Sequence, residues 1–493
     1  MTLLLQIKRI RNSKIMRDTK SVVKNSIFNI IYKGFTAIFP LVTTSYIAKV
    51  LLPEGVGKVE YAITIVTYFV TIASLGIPSY GVKAVAQASE DEKGNVFFEL
   101  LTINSASTVL CIIAYYVFIF STAYFTGRRM LFAVVGLMLF LNLFNIDWFL
   151  QGIEEYSYIA VRGIVMKIVS FAAMLIFVKN ENDYINYAFI LCVGTAGNYL
   201  LNVFRLKKYI VFKRYNLHIK RHLIPVLVLF ATTVATQIYT MLDSTMLEYI
   251  HGEIYVGYYS TAVKIVRMIY TVSIAMVAPL YPRISGYIKD ENKDAVNAIL
   301  SEGTRIVSLI AFPAAVGLFC MADWIIVVLF GDAFMPSALT LRILSPLVIV
   351  FSLAYFLGHI ILMSLNREKT LLYSTILGAS INVILNSLLI PGLQQNGAAI
   401  ASLIAEICVT AFVVLASKKY YKLDIDFKFA SSVLVSSFSM GVITCILKNN
   451  FHMSFIGLCG VCVCGAIVYF GGLLLQKNRE MIKLCSKIAE IWR

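Results

Sequence analysis

The residues of this 493-residue chain whose chemistry is most constrained are charged side chains inside long apolar runs. Lys33, Lys167 and Arg267 each fall near the middle of such a run. An ionisable group at that depth costs about 2.5–3.5 kcal/mol to place in hydrocarbon, so it faces a cavity, a path or a partner of opposite charge. Lys264 lies one helical turn before Arg267 on the same face. Arg162 sits nearer one end of its run and Arg342 nearer the other. The acidic counterparts are fewer: Asp147, Asp243, Asp323 and Glu406. Fixed cations in a low-dielectric space bind anions, and arginine adds a forked donor that matches oxyanions.

Depth along a helix, at about 1.5 Å per residue, groups these charges. Asp243 and Lys264 lie at similar distances from the short loop between their runs, and Asp147 and Arg162 do likewise. Both are read as structural or gating pairs, which leaves Lys33, Lys167 and Arg267 as a cationic excess at mid-depth. Arg162 and Arg342 are near enough to run ends to snorkel instead. Asn142, Asn145, Trp148, Gln151, Gln237, His359, Asn382 and Asn386 are also intramembrane. Amides and aromatic rings there either line a cavity or bond between helices.

The elements that must position these residues are membrane helices. Hydrophobic residues make up 59% of the chain and charged ones 14%, too little charge to cover a soluble domain of this size. The apolar runs reach the roughly 20 residues a bilayer requires. They read as about fourteen spans: 25–48, 60–80, 97–120, 130–150, 157–178, 184–204, 223–250, 257–281, 304–330, 338–364, 371–390, 397–417, 429–447 and 454–475. Period-2 alternation is absent, which excludes a barrel.

The net charge of +16 fits retention of Lys and Arg in cytoplasmic loops rather than nucleic-acid binding. The basic segments are the N-terminus from Lys8 to Lys24, the 205–222 loop, the 418–428 loop and the tail, which puts both termini in the cytoplasm. No cleavable signal peptide is expected, since residues 1–24 are basic and polar. Residues 289–303 read as a separate short helix, and 477–493 as an amphipathic tail on the membrane surface. Cys459, Cys462 and Cys464 have a metal-like spacing, but neighbours of Gly, Val and Leu make them small packing residues.

An offset of 200 residues matches Val56, Gly57, Ala62, Ile65, Val66 and Thr71 with Val256, Gly257, Ala262, Ile265, Val266 and Thr271. This fits two six-helix halves in parallel orientation. The expected organisation is a basic N-terminus (1–24), a first lobe (25–212), a second lobe (213–417), two further helices (418–475) and a tail (476–493).

Several segments carry a family likeness: VLLPEGVGKVEYAITIVTYFVTIASLGIPSYGVKA at 50–84, NIDWFLQGIEEYSY at 145–158, QIYTMLD at 237–243, VGYYSTAVKIVRMIYTVSIAMVAPLYPRIS at 256–285 and NVILNSLLIPGLQQNGAAIASLIAE at 382–406. In order and spacing they resemble the bacterial polysaccharide repeat-unit flippases, the Wzx type, of the multidrug/oligosaccharidyl-lipid/polysaccharide exporter superfamily. The resemblance implies an all-α polytopic fold: two six-helix bundles in a V around a central cavity, plus two C-terminal helices. It implies a substrate of undecaprenyl pyrophosphate carrying an oligosaccharide, moved from the inner to the outer leaflet of the cytoplasmic membrane by alternating access with help from an ion gradient. On that reading Lys33, Lys167 and Arg267, with Lys264 and Arg162, are the pyrophosphate and cavity residues. Asp147, Asp243 and Glu406 are the gating or ion-coupling candidates, for H+ or Na+. No cofactor is expected. A monomer is the default, with a polymerase and a chain-length regulator as plausible partners.

Three rivals are weighed against this, one of them a passive scaffold within a synthesis complex, which would leave the buried charges without a purpose. A multidrug antiporter of the same superfamily would export organic cations and want acids in its cavity. A membrane glycosyltransferase or polymerase would use a motif such as Asp424-Ile425-Asp426, but that loop leaves no room for a nucleotide-binding domain. No aqueous element carries a Walker loop, HExxH or a Ser-His-Asp arrangement. The chain therefore reads as a transporter rather than an enzyme.

Overall fold

The computed structural model describes residues 39–210, 217–422, 426–478 and 480–482, which are mainly helical, with no strand among them. Apolar runs of this length satisfy their backbone groups internally only as helices. In chain order they are α1 (39–51) and α2 (53–74, continuing as Ile77–Gln87), α3 (Lys93–Ser121), α4 (Ala123–Gly152), α5 (Tyr156–Phe177), α6 (Glu181–Leu206) and α7 (Lys220–His251). Then follow α8 (Glu253–Val277), α9 (Lys293–Phe330), α10 (Ser337–Ser364), α11 (368–393), α12 (395–418), α13 (Phe427–Lys448) and α14 (Phe455–Leu475).

Among the described residues, eleven helical stretches are long and apolar enough to cross a membrane, against about fourteen spans read from the whole sequence. Two of the eleven are double. Phe39–Gln87 is broken at Leu52 (φ 59°), and Glu368–Lys418 at Gln394 (φ 54°). Proline explains the first break, because Pro53 restricts the residue before it and crowds the preceding turn; the second falls three residues after Pro391. α7, the span read at 223–250, is not among the eleven.

One expectation is corrected. Residues 289–303 do not form a separate helix. Asn292 caps α9 by accepting from the Ala295 N–H at 3.0 Å, and the helix then runs unbroken from Lys293 to Phe330. Gly303 lies inside it, and the Phe356 ring packs where its side chain would be.

The described chain divides into two compact units. The first gathers the described residues up to Pro40, Ile65–Lys179 and Ile185–Val234. The second gathers Leu41–Thr64, Asn180–Tyr184 and the described residues from Ala235 onward. The first unit has a core in which Phe97 stacks on Trp148 at 5.8 Å and meets Phe149 edge-on at 5.0 Å. The Trp148 ring fits against Gly81, where a Cβ would lie 2.5 Å from it.

In the second unit the two glycines matched by the repeat meet backbone to backbone. A Cβ on Gly57 would sit 1.8 Å from the Glu253 carbonyl oxygen, and one on Gly257 2.1 Å from that of Pro53. α13 and α14 dock on α9 through small residues that allow close approach. A Cβ on Gly441, for example, would lie 2.8 Å from Val316. Asp323 on α9 accepts from Lys448 at the end of α13, with Arg342 3.6 Å away. Glu480, just beyond α14, pairs with Arg305 at 2.8 Å. Cys459 and Cys462 are exposed on α14 rather than packed inside it.

Candidate functional site

A cavity of about 220 Å³ opens within the second unit, bounded by α2, α7, α8, α10, α11 and α12. Its charged lining is Glu60, Asp243, Lys264, Arg267 and Glu406. Four of these, Asp243, Lys264, Arg267 and Glu406, were singled out from the sequence. Glu60 was not, because the second span was taken to start at residue 60. α2 starts at Pro53, so Glu60 lies two turns inside it.

Asp243, on α7, is buried at 5% exposure and accepts four hydrogen bonds. Its Oδ1 accepts from Asn382 Nδ2 at 3.0 Å and Asn386 Nδ2 at 2.6 Å. Its Oδ2 accepts from Ser402 Oγ at 2.6 Å and from the Tyr259 hydroxyl. Asn382 and Asn386 are one turn apart on α11, which presents both amides to the same point. All four donors are neutral. They satisfy the carboxylate, each such bond to a charged group contributing roughly 1.5–3 kcal/mol. The oxygens assembled here, with buried Asn386 Oδ1 left without a hydrogen-bond partner, form a hard-donor set suited to a proton or a small cation.

The expected Asp243–Lys264 pair is not formed. Lys264 instead donates to Glu60 Oε1 at 2.6 Å. Asp243 is already met by four neutral donors, and Glu60 on α2 supplies the carboxylate for Lys264 instead. Arg267, one turn on along α8, lines the cavity and is exposed. Its guanidinium makes no ion pair or hydrogen bond among the described residues. The cavity thus holds three carboxylates and two cations, with Lys264 neutralised locally and Arg267 the cation left available.

The first unit holds other sequence candidates in a closed arrangement. Arg162 is buried at 6% exposure. It donates through Nη2 to both oxygens of Asp147 at 2.9 and 2.8 Å, and through Nη1 to Asn202 Oδ1. Asn202 in turn donates to Asp147 at 3.0 Å and to the Phe144 carbonyl at 3.2 Å. The Asp147–Arg162 pair read from depth is therefore present. It ties α4, α5 and α6 together and leaves only Nε of the guanidinium without a partner. Lys167 is half-buried on α5 with its Nζ 6.0 Å from the centre of the Phe39 ring. Lys33 lies outside the described residues, as do Asp424, Ile425 and the tail from residue 483. Asp426 caps α13 by accepting from the Phe429 N–H at 3.0 Å.

Sequence reasoning also passed over Glu99, fully buried near the start of α3. It accepts from the His218 N–H at 2.7 Å, from Arg221 Nη2 at 2.7 Å and from His222 Nε2 at 2.7 Å, and so anchors the N-terminus of α7. Among the polar residues noted above, Asn142 donates to Thr108 at 3.4 Å and accepts from Asn145 at 3.4 Å, a helix–helix contact.

Comparison with known proteins gives this geometry a context. A family model described as polysaccharide biosynthesis protein matches residues 22–288, and one described as MatE matches residues 229–388. A protein of Escherichia coli (strain K12) called a putative O-antigen transporter is 22% identical over 405 residues, spanning 80% of this chain and 96% of that one. A Haloferax volcanii protein called a probable low-salt glycan biosynthesis flippase is 25% identical over 248 residues, 49% of this chain and 52% of its own. The solved structure of the lipid II flippase MurJ in an inward closed conformation superposes with a TM-score of 0.75 at 16% identity. It covers 93% of this chain and all of that one, a likeness of fold alone.

Proposed function

The chain belongs to the polysaccharide biosynthesis protein family, within the multidrug/oligosaccharidyl-lipid/polysaccharide exporter superfamily, and from that premise we propose that it moves a lipid-linked oligosaccharide between the leaflets of a membrane. The finer reading is an undecaprenyl-pyrophosphate-linked repeat unit, carried from the inner to the outer leaflet of a bacterial cytoplasmic membrane, with both termini of the carrier inside. The E. coli relative is named a putative O-antigen transporter and the H. volcanii one a probable low-salt glycan biosynthesis flippase, which supports a glycan as cargo.

The observation that carries the reading is the Arg267 guanidinium. It is exposed in a membrane-embedded cavity with no ion pair among the described residues. A cation at membrane depth faces a cavity or a partner, so Arg267 belongs to a site whose anion arrives with the substrate. Its fork matches the non-bridging oxygens of a pyrophosphate.

Transport without a nucleotide site draws on an ion gradient. Asp243, held by four neutral donors, is the residue we assign to the coupling ion, H+ or Na+, with Glu406 beside it in the cavity. Alternating access then consists of exchanging the anion on Arg267 and the cation at Asp243. The cavity lies within one chain, so a monomer suffices; a polymerase and a chain-length regulator are the downstream partners this product calls for. A second reading has one observation in its favour. Three carboxylates line the cavity, as an organic-cation exporter would require, and the MatE match points the same way.

Complementation separates the two. The chain, and its Arg267→Ala variant at matched membrane level, are expressed in a bacterium lacking its own repeat-unit flippase, together with the cognate sugar-synthesis genes. Surface polymer with the parent chain, and inner-leaflet intermediate with the variant, is the expected result. No surface polymer with the parent chain, but a rise in resistance to cationic drugs, would establish the antiporter instead.

A further inference from the structure

α10 changes helix type part-way along. Ala354–Ile360 is a π turn, followed directly by the last α turn, Ile361–Ser364. π turns are rare and concentrate at functional sites. This one is wedged on two sides. Phe356 fills the space beside Gly303 of α9, where a Cβ would come within 2.0 Å of the ring. Gly358 packs on Val413 of α12, where a Cβ would meet a methyl at 2.4 Å. Phe356, Leu357, Gly358 and Ile360 are consequently buried, and the side chains that face away are Tyr355 and His359.

Those two rings lie parallel, 5.4 Å apart with 14° between their planes. In an α-helix a residue four places on overshoots by about 40°. A π turn holds more residues per turn, so positions four apart swing back past that overshoot, and here the two rings stack across the turn. One turn before them Phe351 lines the cavity, and it packs against Tyr270 at 4.8 Å. Tyr270 is itself one turn from Arg267. Phe351, Tyr355 and His359 therefore form an aromatic stripe that starts at the Arg267 cavity and runs toward Ser364. The stripe does not belong against lipid, because an imidazole exposed to hydrocarbon leaves its ring nitrogens without partners.

We propose that the paired rings of Tyr355 and His359 are a stacking platform for a sugar ring of the carried glycan, lying one step along α10 from the site that holds its phosphate. The proposal rests on the reading of the chain as a glycan–lipid carrier. The C–H face of a pyranose is apolar and carries the positive ends of its bonds, which suits the negative face of an aromatic ring. Stacking of this kind tolerates changes in the stacked group, as it does for nucleic-acid bases. It would hold a sugar without reading every hydroxyl.

The test uses the full-length protein in nanodiscs and two probes: undecaprenyl pyrophosphate bearing the oligosaccharide, and undecaprenyl pyrophosphate without sugar. The parent chain is expected to bind the sugar-bearing lipid more tightly. Tyr355→Leu and His359→Leu should each weaken that binding by roughly tenfold, the scale of a lost stack, and leave the bare lipid unchanged. Tyr355→Phe should keep parental affinity for both. Retained binding of the bare lipid shows that the variants are folded. Equal loss on both probes, or no loss on the sugar-bearing one, overturns the platform while leaving the carrier reading intact. If the parent chain binds neither lipid, the carrier reading falls and the platform with it.

Discussion

Separating Glu60 from Lys264 is the sharpest challenge to the geometry of the cavity. The Nζ–Oε1 distance is 2.6 Å, with the two side chains 28% and 19% exposed. An exposed pair contributes about 0.2–1 kcal/mol, and breaking a fully buried one costs about 3–5 kcal/mol. This pair falls between those limits, so a coupling of about 2 kcal/mol is expected. Glu60→Gln, Lys264→Met and the double variant close a double-mutant cycle. Thermal unfolding of the detergent-purified protein is the assay. Each single variant should lose roughly 2 °C, scaled for a chain of this length, and the double variant should lose little beyond the worse single one. The same cycle on Asp243→Asn and Lys264→Met should be close to additive. A null coupling for Glu60 with Lys264, joined to a strong one for Asp243 with Lys264, would refute the arrangement described above.

Three further outcomes are expected. Gly57→Ala and Gly257→Ala should each abolish monodisperse protein after detergent extraction, because the new Cβ would sit 1.8 and 2.1 Å from a backbone oxygen, whereas Gly127→Ala, with nothing within 4 Å, should extract as the parent does. Glu155, in the loop between α4 and α5, is pushed up by burial, but its bonds to Tyr209 and to Arg205 at 2.8 Å outweigh this and hold its carboxyl below the usual range. Its folded pKa lies below the unfolded one, so its contribution is present above about pH 4.3 and lost as pH falls through the folded value; the gap in unfolding midpoint between the parent and Glu155→Gln should be open at pH 7 and close in acid. Asp426→Ala removes the α13 cap and should cost only about 1 kcal/mol with transport retained, where a metal-binding DxD role would abolish activity.

The helical class and most span limits were legible because hydropathy in a bilayer is a one-dimensional signal. Several details were not. Glu60 was hidden by a boundary error of about seven residues, since the apolar run starts later than the helix that Pro53 initiates. The Asp147–Arg162 pair could be read because both residues flank one short loop, so depth alone brings them together. Asp243 and Lys264 also flank one loop. There the outcome turned on α2, α11 and α12, which are remote in sequence and offered better partners to each. The offset-200 repeat gave Gly57 and Gly257 equal rank, but their contact depends on backbone approach that no residue pattern encodes. His359 was flagged only as an intramembrane polar group. A π turn leaves no compositional mark, and its wedge depends on Gly303 and Val413 far along the chain.

That π turn has a genetic corollary. It accommodates one residue more than an α-helix of the same rise would. α10 can therefore lose a single residue from Ala354–Ile360 and close into unbroken α-helix. The helix on either side of the deletion would keep its facing, because the turn had already absorbed the extra residue. Only the turn at Ala354–Ile360 would be re-registered, and with it the stack of Tyr355 on His359. A three-nucleotide deletion, usually among the most disruptive small changes a membrane helix can suffer, becomes at this one place a change that α10 can absorb.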